Sequence, residues 1–123
     1  MISNNRIAAA ILAVIVLTAV AFAADITGTW TASFDTQVGV QNYTFTFKVE
    51  GNKLTGRLKS TFAESEISEG TVNGDDISFV ENMTYEGMQL RITYKGKVSG
   101  DEIKITRVVL EDSPEVAVAK RSK

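Results

Sequence analysis

The sequence predicts an all-β protein, an eight-stranded antiparallel up-and-down barrel, from three observations. From residue 24 onward the apolar side chains alternate with period 2, and no useful helical period interrupts them. One hairpin template, V-x-G-[ND]-x-[LI], occurs at Val49–Leu54, Val72–Ile77 and Val98–Ile103. Consecutive hairpins in an eight-strand meander leave two raw edges, and closing the sheet on itself removes both. A two-sheet sandwich or a half-open barrel is the alternative.

The chain has 123 residues, enough for one domain. Met1 to Arg6 is short and polar, and Ile7 to Phe22 is apolar, broken only by Thr18. Ala21-Phe22-Ala23 then offers small residues at the two positions a signal peptidase reads. These are the parts of a secretory leader over 1–23, cut before Ala24. The rival is a membrane anchor, but the run is short for a full span and no basic stop-transfer cluster follows. The domain is then 24–123, exported to the periplasm or the extracellular medium, with no membrane span left.

Composition removes whole classes of chemistry. There is no histidine and no cysteine. That excludes Ser-His-Asp and Cys-His triads, thiolate nucleophiles, disulfides and zinc sites of the usual N/S type. No metal and no cofactor is expected. Fifteen acidic against 13 basic side chains, a net charge of −2, argue against a nucleic-acid partner.

The first strand, 29–35, opens on Asp25-Ile-Thr-Gly-Thr-Trp30 and carries Trp30 and Phe34 on its dry face. In the second, 42–50, Tyr43, Phe45, Phe47 and Val49 point one way and Thr44, Thr46 and Lys48 the other. Gly51-Asn52 suits a two-residue turn, setting Val49 opposite Leu54 and Phe47 opposite Gly56 in the third strand, 53–60. Trp30 is expected beside Phe47, where an aromatic covers a strand glycine. The fourth strand, 66–72, loses its alternation after Ile67, which predicts a bulge at Glu69-Gly70. Gly74-Asp75 pairs Val72 with Ile77 and opens the fifth, 76–85. Glu86-Gly87 pairs Tyr85 with Met88 and opens the sixth, 88–98. Gly100-Asp101 pairs Val98 with Ile103 in the seventh, 102–110, and a link containing Pro114 leads to the eighth, 115–121. A one-residue slip would break all three template matches, so the register is well specified.

Two charges fall on the dry face. Glu81 lies between Phe79 and Met83, and Arg107 between Ile105 and Val109. The register sets Arg107 opposite Tyr94 and Tyr94 opposite Phe79, one step from Glu81. An unpaired buried charge is costly, so a Glu81–Arg107–Tyr94 network or a watered cavity is expected. Such a network can simply hold the register, and inward tyrosines are often ordinary core. It can equally be the polar floor of a pocket formed by Glu81, Arg107, Tyr94, Tyr85 and Tyr43. That pocket would take a small apolar or amphipathic molecule or a glycan fragment.

Two further functions compete with ligand binding. An accessory domain with a filled interior would act through its outer face on a secreted enzyme. There Val80, Val108 and Leu110 come together through Thr93, an apolar patch of the kind that marks a homodimer or docking surface. A hydrolase working through carboxylates alone would use Glu81 as general acid, with Glu69 at the bulge as its only partner.

Gly28-Thr29-Trp30 resembles the G-x-W start of the lipocalins, and Ile26 to Trp30 resembles the opening of the avidins. Both belong to the calycin group of ligand-binding barrels. The resemblance implies that Trp30 closes one barrel end with a basic residue of the last strand, Arg121, packed across it. The later pocket tryptophans of avidin have no counterpart, so biotin binding is not implied. The long first loop and C-terminal helix of lipocalins are also missing. Phe45-Thr-Phe-Lys-Val49, Ile67-Ser-Glu-Gly70 and Lys97-Val-Ser-Gly-Asp-Glu-Ile-Lys104 resemble an uncharacterised family of small secreted bacterial β-domains. Its members occur alone or appended to secreted carbohydrate esterases and glycoside hydrolases, which implies a place beside such enzymes and says nothing of activity.

Overall fold

A computed structural model describes residues 23–61, 63–110 and 114–122. The leader expected over 1–23 therefore lies outside the described residues, Ala23 excepted. Eight strands run in sequence order: β1 (Gly28–Thr36), β2 (Gly39–Glu50), β3 (Lys53–Lys59), β4 (Glu64–Asn73), β5 (Asp76–Tyr85), β6 (Met88–Ser99), β7 (Glu102–Val109) and β8 (Glu115–Arg121). Each pairs antiparallel with the next, and β8 returns to β1, so the sheet is a closed barrel. Among the described residues there is no helix.

The turns set the register. Gly51, Gly74 and Gly100 have φ of 63°, 59° and 60°, each at the first central position of a two-residue turn, where a side chain would be strained. Val49 faces Leu54, Val72 faces Ile77 and Val98 faces Ile103. At the other end Glu86 and Gly87 both have positive φ, and Tyr85 faces Met88. The β4–β5 register shifts between Ser68 and Thr71, with Glu69 at φ 53°, as a bulge requires. Strand β2 starts three residues earlier than alternation suggests, because Val40 and Gln41 pair with Asp35 and Phe34 through backbone alone.

The seam is thin. β1 and β8 share only the Cα pairs Trp30–Arg121 and Thr31–Lys120, extended by a bond from the Ser122 amide to the Thr29 carbonyl (2.8 Å). Beyond it the strands part, leaving a shallow groove between Ala32 and Val118.

One end of the barrel is shut. Trp30 is fully buried, and its indole N–H donates to the Ile26 carbonyl at 2.9 Å. The Arg121 guanidinium lies 4.5 Å from the Trp30 ring centre and donates to the carbonyls of Thr27 and Asp25 and to the Asp101 carboxylate. Trp30 itself faces Phe45 on β2, with Phe47 two pairs away opposite Gly28. Above this plug the interior is filled by aromatics. Phe45 stacks on Phe47 (5.5 Å), Phe79 stacks on Tyr94 (4.6 Å), and Phe47 meets Phe79 edge-on (5.5 Å). Such pairs add about 0.5–1.5 kcal/mol each beyond their area burial. Beyond this packed column, at the opposite end, the interior opens into free volume.

Candidate functional site

At that opposite end, where β1, β3, β5 and β7 finish, lies a cleft of about 410 Å³. Met83, Leu90, Ile92 and Val109 supply apolar wall, Tyr43 and Tyr85 aromatic wall, and Arg107 and Glu115 the only charges among its described lining residues.

Inward positions on four adjacent strands build the floor. Tyr94 on β6 faces Phe79 on β5 and Arg107 on β7, and Arg107 faces Glu115 on β8. The Tyr94 hydroxyl donates to Glu81 Oε1 at 2.7 Å and accepts from Arg107 Nη1 at 3.2 Å. Arg107 Nε donates to Glu115 Oε1 at 2.7 Å. The guanidinium carbon sits 4.5 Å from the Phe34 ring centre and 4.9 Å from that of Tyr43. A desolvated cation between aromatic rings gains up to about 2 kcal/mol from each favourable face. Glu81 and Arg107 thus belong to one network, with Tyr94 as the bridge.

Depth separates the members. Glu81 is 0% exposed and does not line the cleft, whereas the Glu115 side chain is 20% exposed. Glu81 Oε2 is buried with no hydrogen-bond partner among the described residues. Burial pushes the Glu81 carboxyl above its ordinary value of 4.5, against the opposing pull of the Tyr94 hydroxyl and the Arg107 charge. Burial and the adjacent Glu81 carboxylate likewise hold the Tyr94 proton in place.

A raised folded-state value means that the native protein binds this proton more tightly than the unfolded chain. The stability it contributes is fully present below 4.5 and is lost as pH rises through the raised value. Urea unfolding of wild type and Glu81→Gln between about pH 4 and about pH 8 is expected to show wild type losing ground to the variant as pH climbs. Parallel pH profiles would contradict this.

Other expected positions need correction. Val80 is not exposed: it is 6% accessible. The Glu69 carboxylate on β4 reaches across β5 to the Arg91 guanidinium on β6 (2.5 and 3.1 Å), crossing β5 at the level of Val80 and Asn82. Val108 is half-buried and Leu110 stands exposed in the turn after β7, so the three do not form one open patch. Exposed large apolar residues at outward strand positions are instead Val40 on β2 and Val116 and Val118 on β8. Tyr85 and Met88 share the inward face but are 53% and 57% exposed, because their strands end at the rim. Glu69, held by Arg91 outside the barrel, cannot partner Glu81. The second inward carboxylate is Glu115, which residue patterning missed.

The fold and this mouth define a small closed barrel with one plugged and one open end. No protein-family model matches the chain, and no curated protein matches it.

Proposed function

We propose that this chain is an exported binding module whose barrel mouth holds a small apolar or amphipathic molecule or a glycan fragment. The observation that carries this reading is the mouth cleft itself: about 410 Å³, mostly apolar walls, and a charged pair at its floor. Ligand sites are mostly apolar concavities of roughly 300–1,000 Å³ with a few placed polar groups. The aromatic column beneath leaves the mouth as the place for a guest. A thermal-shift panel of aliphatic alcohols and acids, aromatic acids and oligosaccharides tests it. A ligand present at 100 times its Kd adds about 2.7 kcal/mol to stability. Leu90→Trp, which fills the cleft without touching a charge, should abolish the shift. Flat curves across the panel would sink the reading.

The same packed interior suits a second reading, an accessory domain docked on a secreted carbohydrate-active enzyme. That reading expects a flat panel together with capture of such an enzyme by the immobilised domain.

A further inference from the structure

The charges at the mouth select what kind of molecule can enter it. Arg107 is the only cation among the described lining residues, and its Nε already donates to Glu115 Oε1 at 2.7 Å. Its side chain is 5% exposed. The pair is therefore internally neutral and largely out of water. An arriving carboxylate would have to displace Glu115 from the guanidinium, leaving that carboxylate uncompensated in a half-buried site, or lie beside it as a second anion. Either course carries the cost of a desolvated, unpaired charge. Glu81, one layer deeper, cannot reverse this. Neutral, it leaves the site balanced; ionised, it makes the site more negative.

The pair is nevertheless well equipped for uncharged polar groups. Guanidinium has five N–H donors, and the bonds to Glu115 and Tyr94 leave donor capacity on a residue that lines the cleft. Glu115 spends Oε1 on Arg107 and keeps Oε2 as an acceptor. A donor and an acceptor side by side match a group that is both, and a hydroxyl is the simplest. The rest of the lining is mostly apolar, with Met83, Leu90 and Val109 beside the exposed Tyr85, and its other polar members, such as Gln37 and Gln41, carry no charge.

We propose that the mouth of this barrel binds uncharged hydroxyl-bearing amphiphiles, alcohol end down on Arg107 and Glu115 and apolar body toward the rim, and discriminates against the corresponding carboxylic acids. This rests on the binding reading above and names the ligand class for the same cleft.

Three probes of equal chain length test it: 1-octanol, octanoate and octylammonium, titrated calorimetrically into the whole domain at neutral pH. Octanol is expected to bind at least about tenfold more tightly than octanoate, since only octanoate brings an uncompensated charge. Glu115→Gln frees the Arg107 charge and should invert that order. Should Glu115→Gln not fold, the wild-type ranking decides alone. Octanoate or octylammonium binding as tightly as octanol overturns the selectivity while leaving the binding module standing. No binding by any of the three, with a flat ligand panel, overturns both.

Discussion

Arg107→Met is expected to lower folding stability by about 3–5 kcal/mol, the usual result of removing one partner from a buried ion pair. The loss has several parts that act together. Glu115 loses its charged partner at 2.7 Å, the Tyr94 hydroxyl loses the donor at 3.2 Å, and the rings of Phe34 and Tyr43 lose the cation between them. Methionine fills most of the space, so cavity formation contributes little. The partner left behind should account for the cost, and a second substitution isolates it. In Arg107→Met with Glu115→Leu the stranded carboxylate is gone, and a packed apolar pair of similar volume is often neutral or better than the ion pair it replaces. Most of the lost stability should therefore return. Trp30, the only tryptophan and fully buried, reports unfolding by its fluorescence in urea. A single variant within about 0.5 kcal/mol of wild type would show that the pair is not held out of water, because only surface substitutions are that mild.

The register of this barrel was open to reading because two independent signals agreed at each hairpin. At Val98–Ile103 the alternation of β6, the Gly100 turn and the alternation of β7 all require the same pairing, and the structure has it. The same counting carries Tyr94 to Arg107 and Phe79, which is why a three-strand polar group is legible in the sequence. Alternation assigns a face, however, and not a depth. Tyr85 and Met88 face inward at a level where the barrel has run out, so they are rim rather than core. Val80 faces outward yet is covered, because a bulge swings Glu69 into reach of Arg91 two strands away. No pattern along one strand contains that information.

Glu115 escaped for a different reason. The link after β7 is not a two-residue turn, so nothing local sets which residue of β8 faces Arg107. Its neighbours on the inward face are Ala117 and Ala119, too small to announce a dry stripe. The usable signal was the charge itself. Arg107 on a dry face demands a partner, and of the two strands beside β7 only β8 carries an acid, Glu115.

Gly56→Ala should cost about 2–6 kcal/mol, a backbone-strain cost of ~1–3 added to an overpacking cost of ~1–3. Gly56 has φ 153°, a conformation that L side chains rarely adopt. A Cβ built there would lie 2.0 Å from the Thr46 carbonyl oxygen and 3.2 Å from the Phe47 Cα. Both obstacles are backbone, so no rotamer change relieves them. The reason lies in the curvature of a small barrel. Phe47 fills the interior with glycine on both flanking strands, Gly28 on β1 and Gly56 on β3, which lets β3 press against β2 where the sheet bends around the aromatic column. Moving the strands apart to admit a methyl group would loosen Phe47 from Phe45 and Phe79, its ring neighbours at 5.5 Å each. The cost should therefore appear in urea unfolding together with a weaker near-ultraviolet dichroism signal from those rings. Gly87→Ala, in the open turn where no described residue lies within 4 Å of an added Cβ, is the control for positive φ without crowding. If Gly56→Ala proves no worse than Gly87→Ala, strand approach at Phe47 does not hold the barrel closed.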